Sequence, residues 1–325
     1  MNVLLTGGAG YVGQHVAALL AVSGHKPIVF DSLARETPLP RGDALFVSGS
    51  VTDRAELAEV CRAYAVGVVF HLAATTVSAA AGDDLDPAQT YRDNVLGTLS
   101  VLDAMRDVGA KRLVFASTGG VYARTDSPHE GGAPRWVTEA HGVLPRDLEG
   151  ETKLAAERAI ASYGHAYGLS YVTLRLTTAI GESPAERGAI FSRDPFFSDL
   201  ASVARGRMSR VSIPRSASSH GDGSPLFECI DVRDVAAAHV AALDYLNAGG
   251  PSGVFNVGSE IAASALEWCQ AVAHAAGRPV QTEWSTTAKD RSLGTGVLAA
   301  ARARDLLGWT PAHSTRERLV RLLGG

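Results

Sequence analysis

Along the first half of the chain, short β-branched apolar runs alternate with longer amphipathic segments: Val3–Leu5, Tyr11–Val22, Ile28–Phe30, Leu45–Val47, Arg54–Ala65 and Val66–Phe70. The unbroken apolar character of the short runs marks strands covered on both faces, and the longer segments repeat their apolar positions at helical spacing. The alternation continues through a helix around Pro87–Val108, a strand at Arg112–Ala116, a helix around Gly150–Tyr167 and a strand at Tyr171–Leu174. Successive βαβ units of this kind predict an α/β fold with a doubly wound parallel sheet over residues 1–180.

After Gly181 the chain turns to loops rich in Gly, Ser, Pro and Arg, with few long apolar runs before Asp234–Leu246. Residues 181–325 therefore read as a smaller substrate-binding lobe. Ile230–Val232 looks like one more buried strand, so the segment near 228–235 is expected to return to the first domain. The stretch Ala65–Gly82 carries no Asp, Glu, Lys or Arg, yet its glycines, His71 and the Thr75-Thr76 pair suit a buried strand and loop better than a bilayer span.

Composition narrows the function. With 325 residues, 46% hydrophobic and 20% charged, the chain can bury a large core. A net charge of -4 provides no basic field for nucleic acid or an anionic membrane, which leaves a small-molecule ligand. Cys61, Cys229 and Cys269 are widely spaced and form no CxxC pair, so neither a disulfide framework nor a zinc site is indicated and no metal is expected. The first strand begins at once, ahead of any targeting signal, and a cytoplasmic location is expected.

Thr6-Gly7-Gly8-Ala9-Gly10-Tyr11-Val12-Gly13 lies between the first strand and the first helix. In that setting Gly7 permits a tight turn, Gly10 lets the backbone approach a pyrophosphate, Gly13 allows close helix–strand packing, and the helix N-terminus offers free N–H groups. A dinucleotide is implied. Asp31, 18 residues after Gly13 at the end of the second strand, is placed to accept hydrogen bonds from ribose hydroxyls and to repel a 2′-phosphate. NAD is therefore favoured over NADP, with Arg35 as the residue that keeps the second open.

The glycine string is followed by His71-Leu72-Ala73-Ala74, Asn94-Val95-Leu96-Gly97-Thr98, Ser117-Thr118 and Leu174-Arg175. Further on come Asp231-Val232-Arg233-Asp234-Val235, Phe255-Asn256-Val257-Gly258 and Leu307-Gly308-Trp309-Thr310-Pro311. In this order the motifs resemble the extended short-chain dehydrogenase/reductases, and the C-terminal ones resemble their nucleotide-sugar epimerase and dehydratase branch. The resemblance implies a Rossmann domain, bound NAD, a homodimer, and transient oxidation of a sugar hydroxyl.

Carried over by position, it assigns catalysis to Thr118, with Ser117 beside it, and to Lys153, which would hold the nicotinamide ribose. The cofactor contacts it implies are Gly7, Gly10, Tyr11, Val12, Gly13, Asp31, Ser32, Ser50, Val51, Leu72, Ala73, Ala74, Thr76, Asn94, Lys153 and Thr177. For substrate it implies Thr76, Tyr122, Thr178, Phe227, Lys289 and Arg291.

The family tyrosine belongs four residues before Lys153, where this chain has Glu149, and no tyrosine occurs between Tyr122 and Tyr163. A carboxyl titrates near ~4 and a phenol near ~10, so Glu149 is a weak base for an alcohol but serviceable for a carbon acid beside a carbonyl. Glu149 and Lys153 also read as an ordinary i,i+4 helix pair. Phe227 stands where the family often has a diphosphate-binding arginine, Cys229 in a tyrosine position, Thr178 in an asparagine position, and Gly119-Gly120 where dehydratases carry an Asp-Glu pair. Lys289, Arg291 and the arginine-rich run Ala201–Gly221 are alternative anion binders.

Three readings follow. One is an NAD-dependent epimerase/dehydratase-type enzyme for a sugar nucleotide or nucleoside-like sugar, with an atypical Thr-Glu-Lys site. The second is a non-redox lyase that keeps NAD structurally and uses Glu149 as acid and base. The third is a catalytically silent NAD-binding protein.

Overall fold

The computed structural model describes residues 1–33, 44–76, 86–125, 135–182, 190–192, 194–215, 221–285 and 296–325. The chain begins β1 (Asn2–Thr6), α1 (Tyr11–Val22), β2 (Lys26–Asp31), β3 (Leu45–Ser48), α2 (Arg54–Ala63) and β4 (Val68–His71). It continues with α3 (Pro87–Tyr91), α4 (Gly97–Val108), β5 (Arg112–Thr118), β6 (Arg135–Val137), α5 (Leu148–Tyr167) and β7 (Ser170–Leu176). The expected long helix over 87–108 is thus interrupted, and a wider π-helical turn at Arg92–Leu96 separates α3 from α4.

Beyond residue 177 come β8 (Thr178–Glu182), β9 (Ile190–Ser192), α6 (Pro195–Ala204), β10 (Val211–Pro214), β11 (Leu226–Asp231), α7 (Val232–Asn247) and β12 (Gly253–Val257). The chain ends with β13 (Ala262–Ser264), α8 (Ala265–Ala276), β14 (Thr282–Ser285), β15 (Gly296–Leu298), α9 (Ala301–Leu307) and α10 (Arg316–Gly324).

A seven-stranded parallel sheet in the order β12-β7-β5-β4-β1-β2-β3 forms the centre. Side chains alternate across it: Val3, Leu5 and Val29 pack with α1, α7 and α9, whereas Leu4, Ile28 and Phe30 pack with α2, α4 and α5. Covering both faces explains why the strands read as continuous apolar runs. The chain winds outward from β1 through β2 and β3, then returns to β4 on the other side of β1. That reversal opens a crevice at the carboxyl ends of β1 and β4, where doubly wound sheets bind ligands.

The segment that rejoins the central sheet is Gly253–Val257, not the one near 228–235. Leu226–Asp231 instead pairs with β8 and β13 in a four-stranded sheet ordered β13-β11-β8-β9. Ile230, Val235 and Ala236 nonetheless pack into the core of the central sheet, since an apolar run shows that a strand is buried but not which sheet it joins. This smaller sheet packs on α6, α8 and α10 around Phe197, Phe227, Trp268 and Leu319. Among the described residues no helix is long and apolar enough to cross a membrane.

Candidate active site

The glycine turn is shaped by close backbone approaches. Gly7 has φ +72, and a Cβ there would lie 2.5 Å from the Ala73 Cα; one on Gly13 would lie 2.4 Å from the Gly7 carbonyl oxygen. Neither position accepts a side chain without moving backbone. Gly10 caps α1 but brings no side chain to its N–H groups, so these face the crevice as an anion-binding terminus. At the end of β2, Asp31 accepts hydrogen bonds from the Ala9 N–H (3.1 Å) and the Leu33 N–H (2.9 Å), which fixes its carboxylate beside the turn.

Behind the turn lies a buried polar chain. Thr98 donates its hydroxyl proton to the Asn94 carbonyl (2.6 Å), so it must accept from His71 Nε2 (3.0 Å). His71 Nδ1 is then left to accept from the Thr6 hydroxyl at 2.6 Å. This assignment needs a neutral ring, and burial, with the nearby Lys153 charge, lowers the His71 pKa to about 3. His71 is therefore a strut between β1, β4 and α4, not a catalytic base.

Asn94 carries the strut onward. Its side chain binds both the N–H (2.7 Å) and the carbonyl (2.9 Å) of Thr75 and donates to the Thr152 hydroxyl at 2.9 Å. Thr152 in turn donates to the Leu148 carbonyl (2.8 Å) in the first turn of α5. The same turn carries Glu149 and is capped by Asp147, whose carboxylate accepts from the Gly150 N–H at 2.7 Å. A Cβ on Gly150 would stand 2.5 Å from the Gly120 carbonyl oxygen, so a glycine is needed for α5 to reach the turn after β5.

One cavity joins these parts: Gly7, Gly10, Tyr11, Val12, Gly13, Leu72, Ala74 and Thr76 lie along it together with Thr118, Glu149, Lys153, Thr177, Thr178 and Phe227. The Thr118 hydroxyl accepts from the Gly120 N–H at 3.1 Å, which leaves its own proton for a ligand oxygen. The buried Lys153 ammonium donates to the Ala116 carbonyl at 2.7 Å and lies 4.7 Å from the centre of the Phe115 ring.

Ser117 also lines the cavity, but strand alternation turns its hydroxyl away from that of Thr118, and it donates to Glu157 at 2.5 Å. Glu157 forms a buried two-pronged pair with Arg175 (3.1 and 2.6 Å), whose guanidinium lies 4.6 Å over the Tyr122 ring. Tyr122 is buried and donates to Asn256 at 2.6 Å; burial, against the lowering effect of Arg175, pushes its pKa to about 12. The Ser50 hydroxyl meets that of Thr52 at 2.8 Å, and Val51 packs towards Gly97. Ala73 forms the backbone wall against Gly7, and Ser32 follows Asp31 at the end of β2. Arg35, Lys289 and Arg291 lie outside the described residues.

Residues not singled out from the sequence also line the cavity: Asp147, Asp194, Leu226, Glu228 and Leu298. Asp194 caps α6 by accepting from the Phe196 N–H at 2.9 Å. Glu228 is buried, and its two oxygens accept from the Glu260 N–H (2.9 Å) and the Leu298 N–H (3.0 Å). Burial raises its pKa to about 7, against the hydrogen bonds that favour its charge. A lone glutamate within the apolar run Leu226-Phe227-Glu228-Cys229-Ile230 was the available signal. In the arginine-rich run, Arg205 donates to the carbonyls of Leu322 and Leu323, Arg210 pairs with Glu283, and Arg215 lies over Trp284.

Residues 3–258 match the model of the NAD dependent epimerase/dehydratase family. The UDP-glucose 4-epimerase of Halalkalibacterium halodurans is 32% identical over 98% of this chain and 93% of its own length. That of Rhizobium meliloti is 32% identical over 96% of this chain and 93% of its own. Among solved structures, the Brucella ovis UDP-glucose 4-epimerase in complex with NAD superposes with a TM-score of 0.84 at 30% identity, covering 99% of this chain and 97% of that one. The Stenotrophomonas maltophila enzyme with bound NAD and formylated UDP-arabinopyranose gives 0.85 at 28% identity, covering 99% and 96%.

Proposed function

This chain belongs to the NAD-dependent epimerase/dehydratase family, and we propose that it is an NAD-dependent epimerase of a sugar nucleotide or nucleoside-like sugar, acting by transient oxidation through Thr118, Glu149 and Lys153. The observation that carries this reading is the single cavity shared by the glycine turn and those three side chains.

The cradle fits NAD. The N-terminus of α1 would hold the pyrophosphate, Asp31 and Ser32 the adenine ribose, and Lys153 the nicotinamide ribose, with Leu72, Ala74, Thr76 and Thr177 along the walls. When bound, NAD supplies an acceptor that can take a hydride and give it back.

Thr118 would donate its free hydroxyl proton to the reacting sugar oxygen and so fix its position. Glu149 would take the proton from that oxygen as the hydride leaves the same carbinol group, and return it when the hydride is restored to the opposite face. A carboxylate is a poor base for a resting alcohol, but the oxygen becomes acidic as a carbonyl forms, which closes the pKa gap during the step. Lys153, anchored on the Ala116 carbonyl, adds positive charge where negative charge develops.

Glu149 also supports a second reading, since a carboxylate suits removal of a carbon-bound proton beside a carbonyl. Mixing NAD-loaded protein with a panel of sugars, nucleosides and sugar nucleotides separates the two. The epimerase reading expects a transient reduced-nicotinamide absorbance and an epimeric product. Loss of water from the substrate with no such absorbance would establish the lyase instead.

A further inference from the structure

Resting on the reading that Thr118 steadies the reacting oxygen, we propose that Glu228 is a positioning residue: through Leu298 it holds the turn that orients the Thr118 hydroxyl. Glu228 lies on β11, and its side chain reaches out of the small sheet to two other parts of the chain. Oε1 accepts from the Glu260 N–H at 2.9 Å, in the loop after β12, and Oε2 accepts from the Leu298 N–H at 3.0 Å, at the end of β15. The carboxylate thus ties the small sheet to the edge of the central sheet and to the β6–β15 pair.

The surroundings are shaped to admit it. A Cβ on Gly258 would lie 2.5 Å from Glu228 Oε1, so a glycine is needed there for the carboxylate to pass. Glu260 has φ +61, a left-handed backbone uncommon for a residue with a Cβ. Its own carboxylate fixes it there by accepting from the Ala300 N–H at 2.9 Å and pairing with Arg304 at 2.7 Å.

The path to Thr118 runs through the Leu298 side chain. It is buried, lines the cavity and closes over Gly119, where a Cβ would lie 3.3 Å from Leu298 Cδ1. Gly119 opens the tight turn Gly119–Val121, whose Gly120 N–H donates to the Thr118 hydroxyl oxygen at 3.1 Å. That bond sets where the Thr118 proton points. A backbone shift at Leu298 therefore reaches the hydroxyl, and a misplacement of about 1 Å can slow a positioned reaction by about 10²-fold.

Glu228→Gln tests this, because the amide keeps the size of the side chain but offers one acceptor oxygen for two N–H groups. Amide hydrogen exchange is measured on the NAD-loaded full chain, at a pH above the value of about 7 to which burial raises the Glu228 carboxyl. Exchange should speed by about tenfold or more at Gly120 as well as at Glu260 and Leu298, while NAD affinity stays within about twofold. Leu298→Ala keeps both N–H bonds to Glu228 and removes the cover over Gly119. It should speed exchange at Gly120 and spare Glu260, which decides the matter even if the glutamine variant does not fold. With UDP-glucose and UDP-galactose as probes, both variants should lower kcat by about tenfold or more and leave KM within about twofold. Unchanged exchange at Gly120 in either folded variant, or a raised KM with unaltered kcat, would overturn the proposal. The exchange measurement needs no turnover, so the positioning role and the epimerase reading can fail separately.

Discussion

The two ends of the cavity are built from different materials. At the cofactor end the working surface is backbone and small side chains, held from behind by buried struts: Thr6–His71–Thr98 and Asn94–Thr152. At the lobe end it is made of larger side chains, Asp194, Phe227 and Glu228, which project from the start of α6 and one strand of a small sheet. The first construction recognises a constant ligand through geometry, where few residue types fit. The second recognises its ligand through side-chain chemistry, which can be exchanged without disturbing the fold. Substitutions at the cofactor end should therefore cost stability, and those at Asp194 and Phe227 should change ligand preference.

The largest effect is expected from the brace beneath β5. Arg175→Leu leaves Glu157 buried with the Ser117 hydroxyl as its compensation among the described residues, and should cost about 3–5 kcal/mol in denaturant unfolding. Removing Glu157 as well should recover part of that loss. A double variant as unstable as the single would show that packing over Tyr122, rather than charge, holds the brace.

A smaller effect is expected at Asp31. Its fixed carboxylate should make NAD bind tenfold or more tightly than NADP, about 1.4 kcal/mol. Asp31→Ser should narrow the gap and also lower the melting temperature, because the Ala9 and Leu33 N–H groups lose their carboxylate acceptor. Equal affinities in the wild-type chain would mean that a cation near the adenine ribose outweighs Asp31.

Much of the cofactor end was legible because its signals are local. The glycines, Asp31 and the strand–helix alternation occur within one βαβ unit, and Glu149 is read from its spacing to Lys153. The lobe end was not, because it is assembled from strands far apart in the chain. Phe227 was singled out, but nothing in the sequence brought Asp194 to it, or Leu298 to Glu228. The same limit hid the brace: Ser117, Glu157 and Arg175 are unremarkable until β5, α5 and β7 bring them together. Strand alternation would have predicted that Ser117 and Thr118 face opposite ways.

The smallest effect concerns pH. His71 and His239 are buried, with pKa values lowered by burial to about 3 and about 4. Below about pH 6.5 the unfolded chain binds protons that the folded chain refuses, so stability falls with pH by about 1.4 kcal/mol per unit for each histidine. Glu228 acts in the opposite sense. Its pKa is raised to about 7, so the folded chain keeps a proton that the unfolded chain releases, and its contribution falls as pH rises from about 4.5 to about 7. The balance predicts a net loss of roughly 1 kcal/mol per unit between pH 6.5 and 5, by unfolding titrations at fixed salt. Stability that instead rises on acidification would show that Glu228 outweighs both histidines.

The central claim is that Glu149 carries the proton in this active site, and turnover of Glu149→Gln measures it most directly. With a substrate identified by reduced-nicotinamide formation or epimerisation, the variant should keep the wild-type melting temperature and NAD affinity while turnover falls by about 10²-fold or more. Turnover equal to that of the wild-type chain would contradict the claim and leave Glu149 as a helix-surface partner of Lys153.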